Sequence, residues 1–196
     1  MKFIKANKYK PFLCFITPNA PHSPYNVEKK YRDLYAEEDM PDDRKRFYGM
    51  ITNIDENFQR LRGFLKEQEL EDDTILIFMT DNGTAKGADY DEQMFISDGY
   101  NAGMRGIKAS AYEGGHRVPF FLRYPAGGIS EGKDVSCLTN YTDLMPSLLD
   151  FCGVESPVTE GKSLRPLIEG KGVESGEQWQ QRVVITDTQR LPHPIK

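Results

Sequence analysis

The chain is poor in the residues that most often build self-contained metal or redox sites, with three cysteines, three histidines and one tryptophan among 196 residues. Cys14, Cys137 and Cys152 show no C-x-x-C spacing, which excludes a sequence-local zinc or dithiol motif, and an odd number cannot close into a full set of disulfides. They are expected as buried free thiols. Positive charge is also in deficit: 25 Lys+Arg against 30 Asp+Glu leave a formal net charge of −5. No basic field exists to hold nucleic acid nonspecifically. Long apolar runs are missing as well. Residues 12–16 and 75–79 fall far short of the ~20 residues of a membrane helix, and residues 1–10 lack the apolar stretch of a signal peptide.

What is present suits a folded α/β domain. Ten Tyr, eleven Phe and 38% hydrophobic residues can build a core. Residues 11–17, PFLCFIT, form a short unbroken apolar run that predicts a strand buried on both faces, followed by the PNAPHSP loop. Residues 28–46 mix acids and bases and predict a solvated helix broken near Pro41. From residue 44 to 70, apolar side chains recur at Phe47, Met50, Ile51, Ile54, Phe58, Leu61 and Leu65. Steps of three and four give one stripe along a long amphipathic helix.

Asp72 and Asp73 then turn the chain into a second buried strand, TILIFMT at 74–80, which ends in Asp81, Asn82 and Gly83. Residues 83–106 are a long polar loop rich in glycine, more than a passive connection requires. VPFFLRY at 118–124 predicts a third strand, 143–152 a helix stopped by Gly153, and 183–186 a fourth strand. Strands alternating with helices imply right-handed crossovers and a mostly parallel sheet, with ligands beyond the strands' carboxyl ends.

Three junctions place polar chemistry at that edge. Asp81 and Asn82 offer hard oxygen donors that suit Ca²⁺ or Mg²⁺ better than zinc, although an ordinary Asp-Asn-Gly turn has the same sequence. His22 stands between Pro21 and Pro24, which restrict its backbone, and imidazole can donate to an anion or to a leaving oxygen. Lys108, in GIKASAYEGGHRVP, provides positive charge among glycines that permit close backbone approach, and the combination suggests an oxyanion cradle.

The strings PHSP, MITNIDENFQRL, ILIFMTDNG and GIKASAYEGGHRVPFFLRYP, in this order and spacing, resemble the C-terminal two-thirds of a sulfatase catalytic domain, over about residues 11–167. The resemblance implies an alkaline-phosphatase-like α/β fold, a mostly parallel sheet flanked by helices, and hydrolysis of a sulfate ester at a Ca²⁺-bound formylglycine. It implies metal ligation by Asp81 and Asn82 and contact of Lys108 with the sulfate oxygens. His22 would hydrogen-bond the sulfate and protonate the departing alcohol oxygen, with His116 on the side of the leaving group. Glu113, Gly114, Gly115 and Arg117 would shape the Lys108 loop. A sulfated small molecule or glycan is the implied partner, and export to the periplasm or outside the cell is frequent in the family.

One part of the pattern is missing. No Cys or Ser in the chain begins the C/S-x-P-x-R motif that carries the formylglycine, and the acidic metal ligands that precede it are absent. The resemblance therefore implies an internal fragment, inactive alone. Residues 1–170 would be a partial catalytic domain, and 171–196 the start of the connection to a missing C-terminal subdomain. Two other readings compete with it. A phosphoesterase or phosphonate hydrolase of the same superfamily would use a Thr or Ser nucleophile and often zinc, for which His22, His116 and His193 are few. A binding module that kept the fold and lost the nucleophile would be no enzyme.

Overall fold

A computed structural model describes residues 1–130, 132–170 and 177–186 of the chain. The helices are α1 (Lys2–Asn7), α2 (Lys29–Arg32), α3 (Asp42–Glu67), α4 (Glu113–His116), α5 (Leu144–Phe151), α6 (Arg165–Ile168) and α7 (Glu177–Gln180). The strands are β1 (Leu76–Met79), β2 (Ala88–Tyr90), β3 (Ile96–Gly99) and β4 (Phe120–Arg123). β1 pairs with β4, and β2 pairs with β3 as an antiparallel hairpin. The described residues divide into two compact units, one of Met1–Asp72 with Met79–Phe120, the other of Asp73–Phe78 with residues 121–186.

The first unit is organised by α3. Pro41 starts this helix, Asp42 and Asp43 lie in its first turn and Lys66 in its last, each complementing the helix dipole. Its predicted stripe is the buried side: Phe47, Met50 and Leu65 are buried, while Ile54, Phe58 and Leu61 are half-buried and Ile51 is exposed. The helix ends where Glu69 turns left-handed (φ 58°) and the Leu70 N–H returns to the Leu65 carbonyl at 2.9 Å. Gly49 brings α2 close, since a Cβ there would stand 3.1 Å from the Tyr31 carbonyl carbon. The break of the preceding charged segment at Pro41 is as expected.

The β2–β3 hairpin is held to the start of α3 by charge. In its register Asp89 faces Asp98, two like charges that repel across the strands. Arg44, 1% exposed, reaches both, with Nη2 2.7 Å from Asp89 and Nη1 donating to Asp98. Burial pushes the guanidinium pKa down, but the two carboxylates outweigh it and leave it raised, while Asp98 is lowered by its bond from Arg44. The Tyr48 hydroxyl adds a bond to the Gly87 carbonyl at 2.7 Å. The long loop expected over 83–106 thus contains a hairpin.

In the second unit a 3-10 turn at Tyr141–Asp143, which leads into α5, starts from a capping box. The Asn140 side chain accepts from the Thr142 N–H, and the Asp143 carboxylate accepts from the Asn140 N–H. Gly153 (φ 65°) stops the helix as expected. Leu164, Leu167 and Trp179 form its core, with Cys137 and Ile168 packed against them.

Several expectations are corrected. Residues 11–17 form no strand, and Leu13 (78%), Phe15 (87%) and Ile16 are exposed. An apolar run becomes a strand only where another backbone pairs with it, and none does among the described residues. Residues 183–186 are likewise unpaired, with Val183 and Ile185 exposed. The strand expected at 74–80 is shorter and half-buried. The cysteines are free, but Cys152 is exposed and the other two are half-buried. Of the connection expected over 171–196, residues 171–176 and 187–196 lie outside the described residues.

Candidate functional site

Asp81 and Asn82 follow β1 after Thr80, at the strand end the sequence suggests. Asp81 is exposed, and nothing among the described residues engages its carboxylate. The Asn82 Nδ2 donates to the Gly83 carbonyl at 3.1 Å, and Oδ1 has no hydrogen-bond partner among the described residues, while Thr80 donates to the Asn82 carbonyl at 3.1 Å. Two adjacent hard oxygens fit a Ca²⁺ or Mg²⁺ ion as part of a coordination set. No cluster of three or more His, Cys, Asp or Glu able to hold a metal forms among the described residues. Ca²⁺ takes six to eight oxygens, so the further ligands must come from elsewhere.

The turn after β1 is joined to the Lys108 loop by backbone contacts that only glycine allows. The Gly83 N–H donates to the Gly115 carbonyl at 3.0 Å, and a Cβ on Gly83 would stand 1.8 Å from the Gly114 carbonyl oxygen. A Cβ on Gly114 would stand 2.0 Å from the Gly106 carbonyl oxygen. The Lys108 N–H donates to the Thr84 carbonyl at 2.8 Å, and the Gly114 N–H to the Arg105 carbonyl at 2.7 Å. Asp81–Asn82, Lys108 and the Glu-Gly-Gly turn are therefore one assembly. The glycines do for this loop what the sequence suggests, and the exposed Glu113–Arg117 pair (3.2 Å) closes α4.

Lys108 is half-buried, and no carboxylate or other acceptor engages its Nζ among the described residues. Of the four non-glycine residues with left-handed backbone among the described residues, Met94 lies in the β2–β3 turn, Ala102 precedes Lys108 and Ala109 follows it immediately. Each costs backbone strain that the surrounding bonds sustain. Arg105 stacks between Phe95 (4.9 Å) and Tyr112 (3.9 Å) and donates to the Gln93 carbonyl, so its charge is engaged.

The other two histidine sites are less integrated. His22 is exposed, with Nδ1 2.8 Å from the Ser23 carbonyl and its own N–H bonded to Asn19. A carbonyl can only accept, so Nδ1 carries the proton and Nε2 donates only as the imidazolium. No hydrogen bond joins His22 to Asp81, Asn82 or Lys108. His116 is exposed with Nε2 3.1 Å from the Ala111 carbonyl, a contact within the loop that does not direct it to a ligand. The residue that sequence reasoning misses is Asn101, 6% exposed, whose amide bonds into the Lys108 loop. A lone Asn in a glycine-rich loop gives no signal beyond that of a turn.

Comparison with known proteins bears on this geometry. A family model described as Sulfatase matches residues 1–154. An arylsulfatase of Clostridium perfringens is 31% identical over 82% of the chain and 38% of its own length. The crystal structure of Ps i-CgsB superposes with a TM-score of 0.75 at 26% identity, over 87% of this chain and 36% of that one. The structure of BT4656 in complex with its substrate D-glucosamine-2-N,6-O-disulfate matches with a TM-score of 0.52 at 27% identity, over 72% of this chain and 27% of that one. The chain thus spans well under half the length of the relatives it matches.

Proposed function

The chain belongs to the sulfatase family, and we propose that it supplies the anion-binding side and part of the metal-binding side of a sulfate-ester hydrolase. The observation that carries this reading is the backbone junction of the Asp81–Asn82 turn with the Lys108 loop, through Gly83 to Gly115 and Lys108 to Thr84. It supports reading two hard oxygens and an ammonium unengaged among the described residues as parts of one site, the complement a sulfate monoester requires.

In this reading water and the ester give an alcohol and inorganic sulfate, with the ester S–O bond broken. Lys108 stands against the sulfate oxygens and offsets charge that shifts as that bond breaks. His22, as the imidazolium, gives the Nε2 proton to the departing oxygen. Asp81 and Asn82 would hold a Ca²⁺ ion together with ligands from elsewhere, and the ion would supply polarisation of the sulfate group. The nucleophile is a formylglycine outside these 196 residues, for the chain has no C/S-x-P-x-R motif, and the chain alone is inactive. The substrate class is a sulfated small molecule or glycan.

The test is kcat/KM for an aryl sulfate in the full-length protein with Ca²⁺. Lys108→Ala should lower it about 10²- to 10³-fold, the usual cost of removing one group that stabilises transition-state charge. An unchanged value removes Lys108 from the site. Hydrolysis of the same ester by the 196-residue chain alone, at the full-length rate, would overturn the placement of the nucleophile outside it.

A further inference from the structure

Lys108 is aimed by its backbone, since no carboxylate holds its Nζ among the described residues. Every peptide from 104 to 108 has a bond that fixes it. Met94 O accepts from the Gly106 N–H (2.8 Å), the Arg105 carbonyl from Gly114, and Thr84 O from the Lys108 N–H. Ser110 binds both sides of Ile107, through Oγ to its N–H (3.2 Å) and through its own N–H to the carbonyl (2.9 Å). The two remaining carbonyls, Met104 and Gly106, both accept from one group, the Asn101 Nδ2, at 2.7 and 3.1 Å. The same Nδ2 lies 2.9 Å from the Tyr90 hydroxyl of β2, so its two hydrogens are shared among three oxygens.

Asn101 is buried and its Oδ1 has no partner among the described residues, so the side chain acts through its donors. Reversing the amide would set Oδ1 against two carbonyl oxygens, so only one orientation is consistent with the surroundings. Two left-handed residues, Ala102 and Ala109, flank the segment and would relax without these bonds.

We propose that Asn101 is a positioning residue for Lys108: its amide clamps the Met104 and Gly106 carbonyls and thereby sets where the lysine ammonium stands. Asn101 never touches substrate. The inference rests on Lys108 meeting the substrate anion.

A double-mutant cycle in the full-length protein tests it. Asn101→Ala should lower kcat/KM about 10- to 100-fold in the wild-type background, the usual consequence of displacing a catalytic group by about 1 Å. In the Lys108→Ala background the same substitution should change it less than about 3-fold, because the group it aims is gone. Equal losses in both backgrounds overturn the inference. A Lys108→Ala variant with wild-type activity overturns the proposed function instead, so the two failures are distinct. A second readout does not need turnover: after ¹³C reductive methylation, the Lys108 signal, assigned by its loss in Lys108→Arg, should move to the position of exposed lysines in Asn101→Ala. A signal that stays in place overturns the inference. If Asn101→Ala fails to fold, Asn101→Ser, which keeps one donor, carries both measurements.

Discussion

Replacing Asp143 by Asn changes one oxygen to an amide and should unfasten the segment that carries the chain's single tryptophan. The Asp143 side chain is fully buried, and Arg182 meets it as a fork, Nη1 to Oδ2 and Nη2 to Oδ1, both at 2.7 Å. The backbone N–H groups of Asn140 (2.7 Å) and Lys162 (2.9 Å) bring the donors on the carboxylate to four. Asparagine keeps one acceptor oxygen and turns an NH₂ toward the other two donors. Each charge-assisted bond lost costs about 1.5–3 kcal/mol, and breaking one side of a buried ion pair about 3–5 kcal/mol, so a loss of about 4 kcal/mol is expected. Trp179 reports it, being buried against Leu164 and Leu167 with Arg182 5.1 Å from its ring. With a guanidinium m value of about 3 kcal/mol/M, the midpoint of the tryptophan emission transition should fall by about 1 M, and the native emission should shift to the red. An unchanged midpoint and emission maximum would refute the reasoning.

The same carboxylate sets a pH dependence. Burial pushes the Asp143 pKa up, but Arg182 and the two N–H groups outweigh it and hold it below the usual range. A depressed folded pKa stabilises above the unfolded value, about 3.9, and the contribution fades as pH falls below that through the folded value. The tryptophan transition should weaken on acidification below about pH 4, and Asp143→Asn should flatten this dependence. Arg44→Met leaves Asp89 and Asp98 facing each other uncompensated, so it should lower the melting temperature, more at low salt than at high salt. Gly114→Ala sets a Cβ 2.0 Å from the Gly106 carbonyl oxygen and should abolish the proposed sulfate-ester hydrolysis of the full-length protein, whereas Gly132→Ala, with no atom within 4 Å, should leave it unchanged. Gly63→Ala in α3, also with open space around it, should stabilise by about 0.5–1 kcal/mol in thermal melts.

What the sequence makes legible depends on how far apart the deciding groups are. The α3 stripe, its start at Pro41 and the stop of α5 at Gly153 are local, and their patterns specify them. The apolar run at 11–17 is equally local, but an apolar pattern states only that a segment gains by burial, not that a partner backbone is present. The β2–β3 hairpin escapes notice for the opposite reason. Asp89 against Asp98 contradicts every cross-strand preference, and Arg44, far upstream, reverses the sign of that pair.

The candidate site divides along the same line. Asp81, Asn82 and Lys108 are visible as residue types at the ends of strands and loops, and the glycines near them signal close backbone approach. How the lysine is aimed is not visible, because it resides in carbonyl positions that leave no trace in the residue types at 104–108. This also resolves the apparent conflict of a −5 chain with the anionic substrate proposed for it. At an ionic strength near 0.15 M the Debye length is about 8 Å, so most of the surface acids are screened from the site. An ammonium with no carboxylate beside it among the described residues, held in place by the bonds at residues 104–107 and its own N–H to Thr84, would govern the local field instead. The pertinent quantity is the order of that loop rather than the sum of charges. Substitutions that loosen it, Asn101→Ala above all, should therefore weaken sulfate-ester turnover without altering the net charge at all.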